Sequence, residues 1–212
     1  IENVLGKIED WFSQAIDDSP TSVKELSGLE ALRIGLASAG PIGAAAASAF
    51  SELTRQIVAA GGSVVLPQNT GLLSNETYLD ATLGKQPAYP TLAYGAPMRS
   101  TGFHVMETPT AHWVETLTGL GATGVDVIVA YVGEHPLQTH PMIPLLQVTD
   151  NTEVNDAFGP DLDIWLEGAS SEWPTQILST IAAVADHSYA PRLYQLGNID
   201  FQVTRGLLGV SL

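Results

Sequence analysis

A chain of 212 residues, 45% hydrophobic and 7% aromatic, can bury a substantial core, which excludes a disordered protein. Eight Lys and Arg against 23 Asp and Glu give a formal net charge of −15, so phosphate backbones and anionic lipid are repelled, and neither nucleic acid nor a membrane is expected as a partner. Cysteine is absent, which removes disulfides, thiolate-bound zinc, iron–sulfur clusters and thiol nucleophiles, and leaves any chemistry to carboxylates, histidines, hydroxyls or a metal held by oxygen and nitrogen.

Residues 1–18 place Val4, Leu5, Ile8, Trp11, Phe12, Ala15 and Ile16 on one face at helical spacing, an amphipathic helix. A polar break with Pro20 follows. Leu32–Leu36 reads as a short buried strand, and Gly40, Pro41 and Gly43 as a turn with proline at the entry of a helix. The alanine-rich run from Ile42 to Ala60 is a helix stopped by Gly61 and Gly62, and Val64–Leu66 is a second strand. Thr77–Leu83 reads as helical, and Gly84–Pro97 as a connection rich in Pro and Gly.

Gly102–Glu107 is a strand, Thr110–Leu120 a helix, and the β-branched run Asp126–Val132 a buried strand. Met142–Val148 and Leu162–Leu166 are further strands, Pro174–Ala185 is a helix, and an extended tail closes the chain. Strands separated by helices imply a single three-layer α/β domain, Rossmann-like, with a mostly parallel sheet and helical crossovers. No run of about 18 apolar residues marks a membrane span, and no signal-peptide pattern opens the chain, so a cytoplasmic location is expected. Lysine occurs only at positions 7, 24 and 85, and this acid-rich, lysine-poor composition suits a high-salt environment.

In open parallel sheets, ligands bind where strand carboxyl ends, loops and helix N-termini converge. The loop Glu107-Thr108-Pro109-Thr110 offers a carboxylate, hydroxyls and a helix start suited to a substrate carboxylate, with His112 one turn on; Thr108 or Thr110 could equally serve only as an N-cap. Gly133–Pro141 carries His135 and His140 beside Glu134, a set able to hold a divalent cation or do acid–base work, although its spacing matches no metal motif and surface histidines would look the same. Asp161 and Asp163 would share a strand face and could share a cation. The loop from Gly35 to Gly40 lacks the lysine of a P-loop and the full GxGxxG spacing, so no nucleotide cofactor is expected.

Gly102-Phe-His-Val-Met-Glu107-Thr-Pro109, Val127-Ile-Val, His140-Pro-Met-Ile-Pro144-Leu-Leu-Gln-Val-Thr149-Asp-Asn151 and Asp161-Leu-Asp163-Ile164 resemble the C-terminal domain of altronate and galactarate dehydratases. Upstream, Leu32–Leu36, the long helix and Ala60–Leu66 fall where that family has a strand, a helix and a second strand. The resemblance implies β-elimination of water from a sugar acid, a divalent and iron-like metal aiding removal of the α-proton by stabilising the enediolate. On that reading Glu107 stands at the family's Asp, and Thr108 and Pro109 match outright.

The departures cluster. Ser38 replaces the family's Cys, Ile42 its Asp and Gln68 its Glu, and the Arg-bearing loop becomes Tyr131-Val-Gly133-Glu134-His135. Two expectations therefore stand. One is a divergent hydro-lyase with Glu107, His104 and His135 as acid–base groups, Thr108, Ser38 and Thr110 as substrate contacts, and His135 and His140 as metal ligands. The other is a non-catalytic domain that binds a small acid or supports a partner, as a homo-oligomer or beside an N-terminal companion domain.

Overall fold

The computed structural model describes residues 28–84 and 86–201, so the amphipathic helix expected over residues 1–18 lies outside the described residues. Among the described residues one sheet is built from β1 (Arg33–Ala39), β2 (Ser63–Pro67), β3 (Gly102–Met106), β4 (Val127–Val132), β5 (Leu145–Thr149) and β6 (Ile164–Trp165). Its order is β3-β2-β1-β4-β5-β6, and every neighbouring pair is parallel. The fold is a three-layer, Rossmann-like α/β architecture, parallel throughout where the sequence indicated mostly parallel. That strand order reverses direction between β1 and β4, the topological switch point of this class of sheet.

The helices are α1 (Ala44–Ala59), α2 (Glu76–Leu83), α3 (Trp113–Ala122), α4 (Thr152–Phe158), α5 (Trp173–Ala185) and the single turn α6 (Arg192–Gln195). Alternation along the strands sorts them onto two faces. Ile34, Leu36, Val64, Leu66, Val129 and Leu146 pack with Phe50, Leu53 and Ile57 of α1, Tyr78 of α2 and Ile177 and Ile181 of α5. Ala37, Val65, Met106, Ile128, Ala130 and Leu145 point the other way, onto Leu117 and Leu120 of α3. Gly35 lets α3 approach, since a Cβ there would lie 3.4 Å from Leu120 and 3.1 Å from Ile128. Each fully buried Leu or Ile in these layers contributes roughly 1.5–3 kcal/mol of transfer free energy.

Two element starts and two unexpected helices are the main departures from expectation. The α3 helix starts at Trp113 rather than Thr110, because Thr110 folds into a turn in which its hydroxyl accepts from the His112 N–H at 3.3 Å. β5 starts at Leu145 rather than Met142, because Pro141 and Pro144 bracket a turn that gives up the ladder. α4 lies where no helix was expected; its signal is Asn151, whose side chain accepts from the Glu153 N–H at 3.0 Å as an N-cap. α6 interrupts the tail expected to be extended.

The β4–β5 crossover contains no helix. It runs along the α3 face as a loop pinned by Gln147, which is 1% exposed and pairs with the Leu137 backbone through both ends of its amide, at 2.8 and 2.9 Å. The Trp113 indole N–H also donates to Gln138 O at 2.9 Å, tying α3 to the same loop.

Candidate ligand site at the carboxyl edge

The switch point itself is closed. A Cβ on Gly133, just after β4, would lie 2.3 Å from the Pro41 carbonyl oxygen, so the loops after β1 and β4 touch backbone to backbone. The Gly133 N–H donates to Ala39 O at 2.7 Å, carrying the ladder past the strand ends. The space where such sheets usually take a ligand is therefore filled by main chain.

The opening lies one strand over, between β1, β2 and the start of α3. A cavity of about 110 Å³ is lined by Ala37, Ser38, Pro67, Asn69, Thr70, Ala111, Trp113 and Thr116. Local structure explains each polar group. Ser38 stands near the end of β1, and its hydroxyl shares a 3.2 Å hydrogen bond with Thr70 Oγ1. Thr70 caps the short 3-10 turn after β2, accepting from the Leu72 N–H at 3.4 Å. Asn69 Nδ2 donates to Thr110 O at 3.2 Å and approaches Thr116 Oγ1 at 3.4 Å, bridging the loop after β2 to the loop after β3. The N-cap residue of α3, His112, makes no side-chain cap bond, and the acidic Glu115 stands in the first turn, where it complements the positive end of the helix dipole.

Beside the cavity, Glu115 is buried, at 2% exposure, and accepts a short hydrogen bond from the Thr110 hydroxyl. A carboxyl group out of contact with water needs such partners. No Lys or Arg lines the cavity, so an anion there would rely on hydroxyls and the Asn69 amide.

The structure brings together two of the residues singled out from sequence: Ser38 lines the cavity, and Thr110 borders it through its carbonyl. Thr108, half-buried, and Glu107, exposed, belong to the same loop; the Glu107 N–H donates to Leu92 O at 2.9 Å. His104 is elsewhere. It is buried in the edge strand β3, with Nε2 2.9 Å from Ser100 O and Nδ1 3.5 Å from Thr91 Oγ1, which fastens the preceding connection to the sheet.

His135 and His140 are separated by the helix-free crossover. His135 is exposed just past the carboxyl end of β4, whereas His140 is buried near the amino end of β5. Both His140 nitrogens are engaged: Nδ1 accepts from the Met142 N–H at 3.1 Å, and Nε2–H donates to Thr118 Oγ1 at 3.2 Å, since that hydroxyl already donates to Val114 O. Burial lowers the His140 pKa, which fits a neutral imidazole. Among the described residues no group of three or more His, Asp or Glu is placed to hold a metal ion.

Asp163 is also occupied. It accepts from Gln147 N at 2.7 Å, Tyr189 Oη at 2.7 Å and Arg192 N at 2.9 Å. Burial pushes its carboxyl pKa up against those donors, and burial with the neighbouring carboxylate pushes the Tyr189 hydroxyl to about 12. This is a structural knot joining β5, β6 and the segment after α5.

Sequence reasoning passed over Asn69, Thr70 and Glu115 as site residues. The available signal was positional: Pro67 ends a buried strand and is followed at once by Gln68, Asn69 and Thr70, a polar cluster at a carboxyl edge.

The fold and this edge define a Rossmann-like α/β domain with a small polar cavity beside a closed switch point. No protein-family model matches the chain, and no curated protein matches it. No helix among the described residues is long and apolar enough to cross a membrane.

Proposed function

We propose that this domain binds a small hydroxylated acid, of the size of a sugar-acid head, in the cavity between Ser38, Asn69, Thr70 and Thr116. The observation that carries the reading is the convergence of three hydroxyls and one amide on a cavity of about 110 Å³, at the edge of the sheet where α3 starts without a cap. Hydroxyl and amide groups of this kind can hydrogen-bond both the hydroxyls and the carboxylate oxygens of such a ligand. The volume admits the carboxyl and adjacent hydroxyl carbon of an acid, not a nucleotide, whose sites run to about 300–1,000 Å³. The resemblance to altronate and galactarate dehydratases points to the same ligand class.

Elimination of water from that acid is a second reading. One feature favours it: Glu115, a buried carboxyl group next in sequence to the cavity-lining Thr116 and hydrogen-bonded to Thr110, is a general-base candidate. The divalent metal that the resemblance implies does not fit this cavity, whose lining carries no His, Asp or Glu, so no step is routed through it.

Thermal unfolding with aldarates, aldonates and matched neutral polyols, each with and without a divalent cation, tests both readings. Binding predicts that hydroxy acids raise the midpoint and polyols do so less; elimination further predicts a 2-keto product that disappears in Glu115→Gln. Equal, null responses to every compound contradict the ligand reading.

A further inference from the structure

At the opposite, amino edge of the sheet lies a far larger opening, an apolar groove of about 810 Å³. Its walls include Leu32, Val127, Ile143, Ile181 and Val184, with Met142 on the rim at 68% exposure. A large apolar opening of this kind marks a docking surface more often than a bare face. We propose that it is filled by the chain's own N-terminal segment, residues 1–18, laid in as an amphipathic helix.

Three observations select that occupant. The first is where the described chain begins: Leu29–Ala31 leads directly into β1, and Ala31, Leu32 and Arg33 themselves line the groove. Residues 17–27 can span roughly 35 Å when extended, and a helix over residues 1–16 is about 24 Å long, so reach is not limiting.

The second is pattern. Val4, Leu5, Ile8, Trp11, Phe12, Ala15 and Ile16 share one helical face, and a helix with such a face needs an apolar surface to bury it. Glu2, Lys7, Glu9, Asp10, Asp17 and Asp18 fall among or beyond them as the solvated complement.

The third is a polar group left without a partner. Thr139 lines the groove at 1% exposure, and its Oγ1 has no hydrogen-bond partner among the described residues. A buried hydroxyl in that condition is destabilising until a donor or acceptor reaches it. The Trp11 indole N–H is a donor of the type that would satisfy it.

The absence of native cysteine makes the test clean. In the full chain, Trp11→Cys is combined with Met142→Cys on the groove rim, or with Glu107→Cys at the far edge of the sheet as the control. Mild oxidation is expected to close an intramolecular disulfide in most Trp11/Met142 molecules and in few Trp11/Glu107 molecules. Equal yields, no closure, or covalent dimers overturn the proposal, the last by assigning the groove to a second copy. Leu208→Cys with Met142→Cys closing faster than the Trp11 pair would also overturn it, in favour of the C-terminal tail.

A second measurement avoids cysteine. In the unmodified chain a docked segment should shield Met142, so peroxide converts it to the sulfoxide slowly. Ile8→Asp with Phe12→Asp should speed that oxidation several-fold while Met106, buried under α3, stays protected. Rapid oxidation of Met142 in the unmodified chain contradicts docking. The groove lies at the other edge of the sheet from the proposed ligand cavity, so failure of either claim leaves the other standing.

Discussion

Individual side chains decide how this edge of the sheet differs from an open nucleotide-binding one. Gly133 is the clearest case. Because a Cβ there would meet the Pro41 carbonyl oxygen at 2.3 Å, backbone must move if one is added. Gly133→Ala should lose about 1–3 kcal/mol in urea denaturation, the range for overpacked sites; an unchanged midpoint would mean that the two loops are not in contact.

His140 supplies a pH signature at the same scale. Its folded-state pKa lies below the ordinary value of 6.5 because burial disfavours the imidazolium. The unfolded chain therefore binds the proton more readily. The contribution of the neutral ring is complete above 6.5 and is lost as pH falls through the folded value. Denaturation from pH 7.5 down to pH 5 should show a larger loss of stability in the unmodified chain than in His140→Asn, and parallel losses in the two would remove this role. From sequence, His140 and His135 look like one cluster five residues apart. The sequence showed a loop and no helix over Gly133–Pro141, but not that this loop runs from the carboxyl edge of the sheet to the amino edge, which parts them.

Among elements, the main parallel strands, α1 and α5 were legible because burial on both faces of a parallel sheet writes itself as β-branched runs, and the alanine run of α1 allows little else. Short elements were less legible. α4 depends on a cap at Asn151 rather than on periodicity, and β6 is a two-residue strand held by its neighbours. The knot at Asp163 shows why: Gln147, Tyr189 and Arg192 are contributed by β5 and by the stretch between α5 and the end of α6, and no local pattern predicts their meeting. Asp163→Ala should cost about 2–3 kcal/mol, since three donors lose a charged acceptor. Tyr189→Phe, which removes one bond, should cost nearer 1 kcal/mol by the same measurement. Equal effects would show that burial rather than hydrogen bonding sets the value.

At the scale of the whole molecule, a formal charge of −15 acts on every conformational equilibrium. Arg33 pairs with Asp126 at 2.8 Å and Arg55 with Glu52 at 3.3 Å, but both pairs are exposed and contribute little. Self-repulsion among the remaining carboxylates should therefore fall with screening, and the melting temperature should rise as salt goes from about 0.05 to 1 M, where the Debye length is about 3 Å. A flat response would mean that the acidic surface is neutral toward stability.

The candidate site belongs to this scale too, because it exists only once three loops and a helix start are assembled around the sheet. Ser38 and Thr110 were visible in the sequence as members of strand-end loops. Asn69, Thr70 and Thr116 become a site only through the parallel register that brings β1, β2 and β3 side by side.

Backbone amide shifts of the full, isotope-labelled chain during titration with a sugar acid test the ligand site most directly. The largest changes should fall on Ser38, Asn69, Thr70 and Trp113 through Thr116, and should vanish in Asn69→Ala. Changes centred instead on Arg33 and Met142 at the amino edge, or no changes at millimolar ligand, would contradict the assignment.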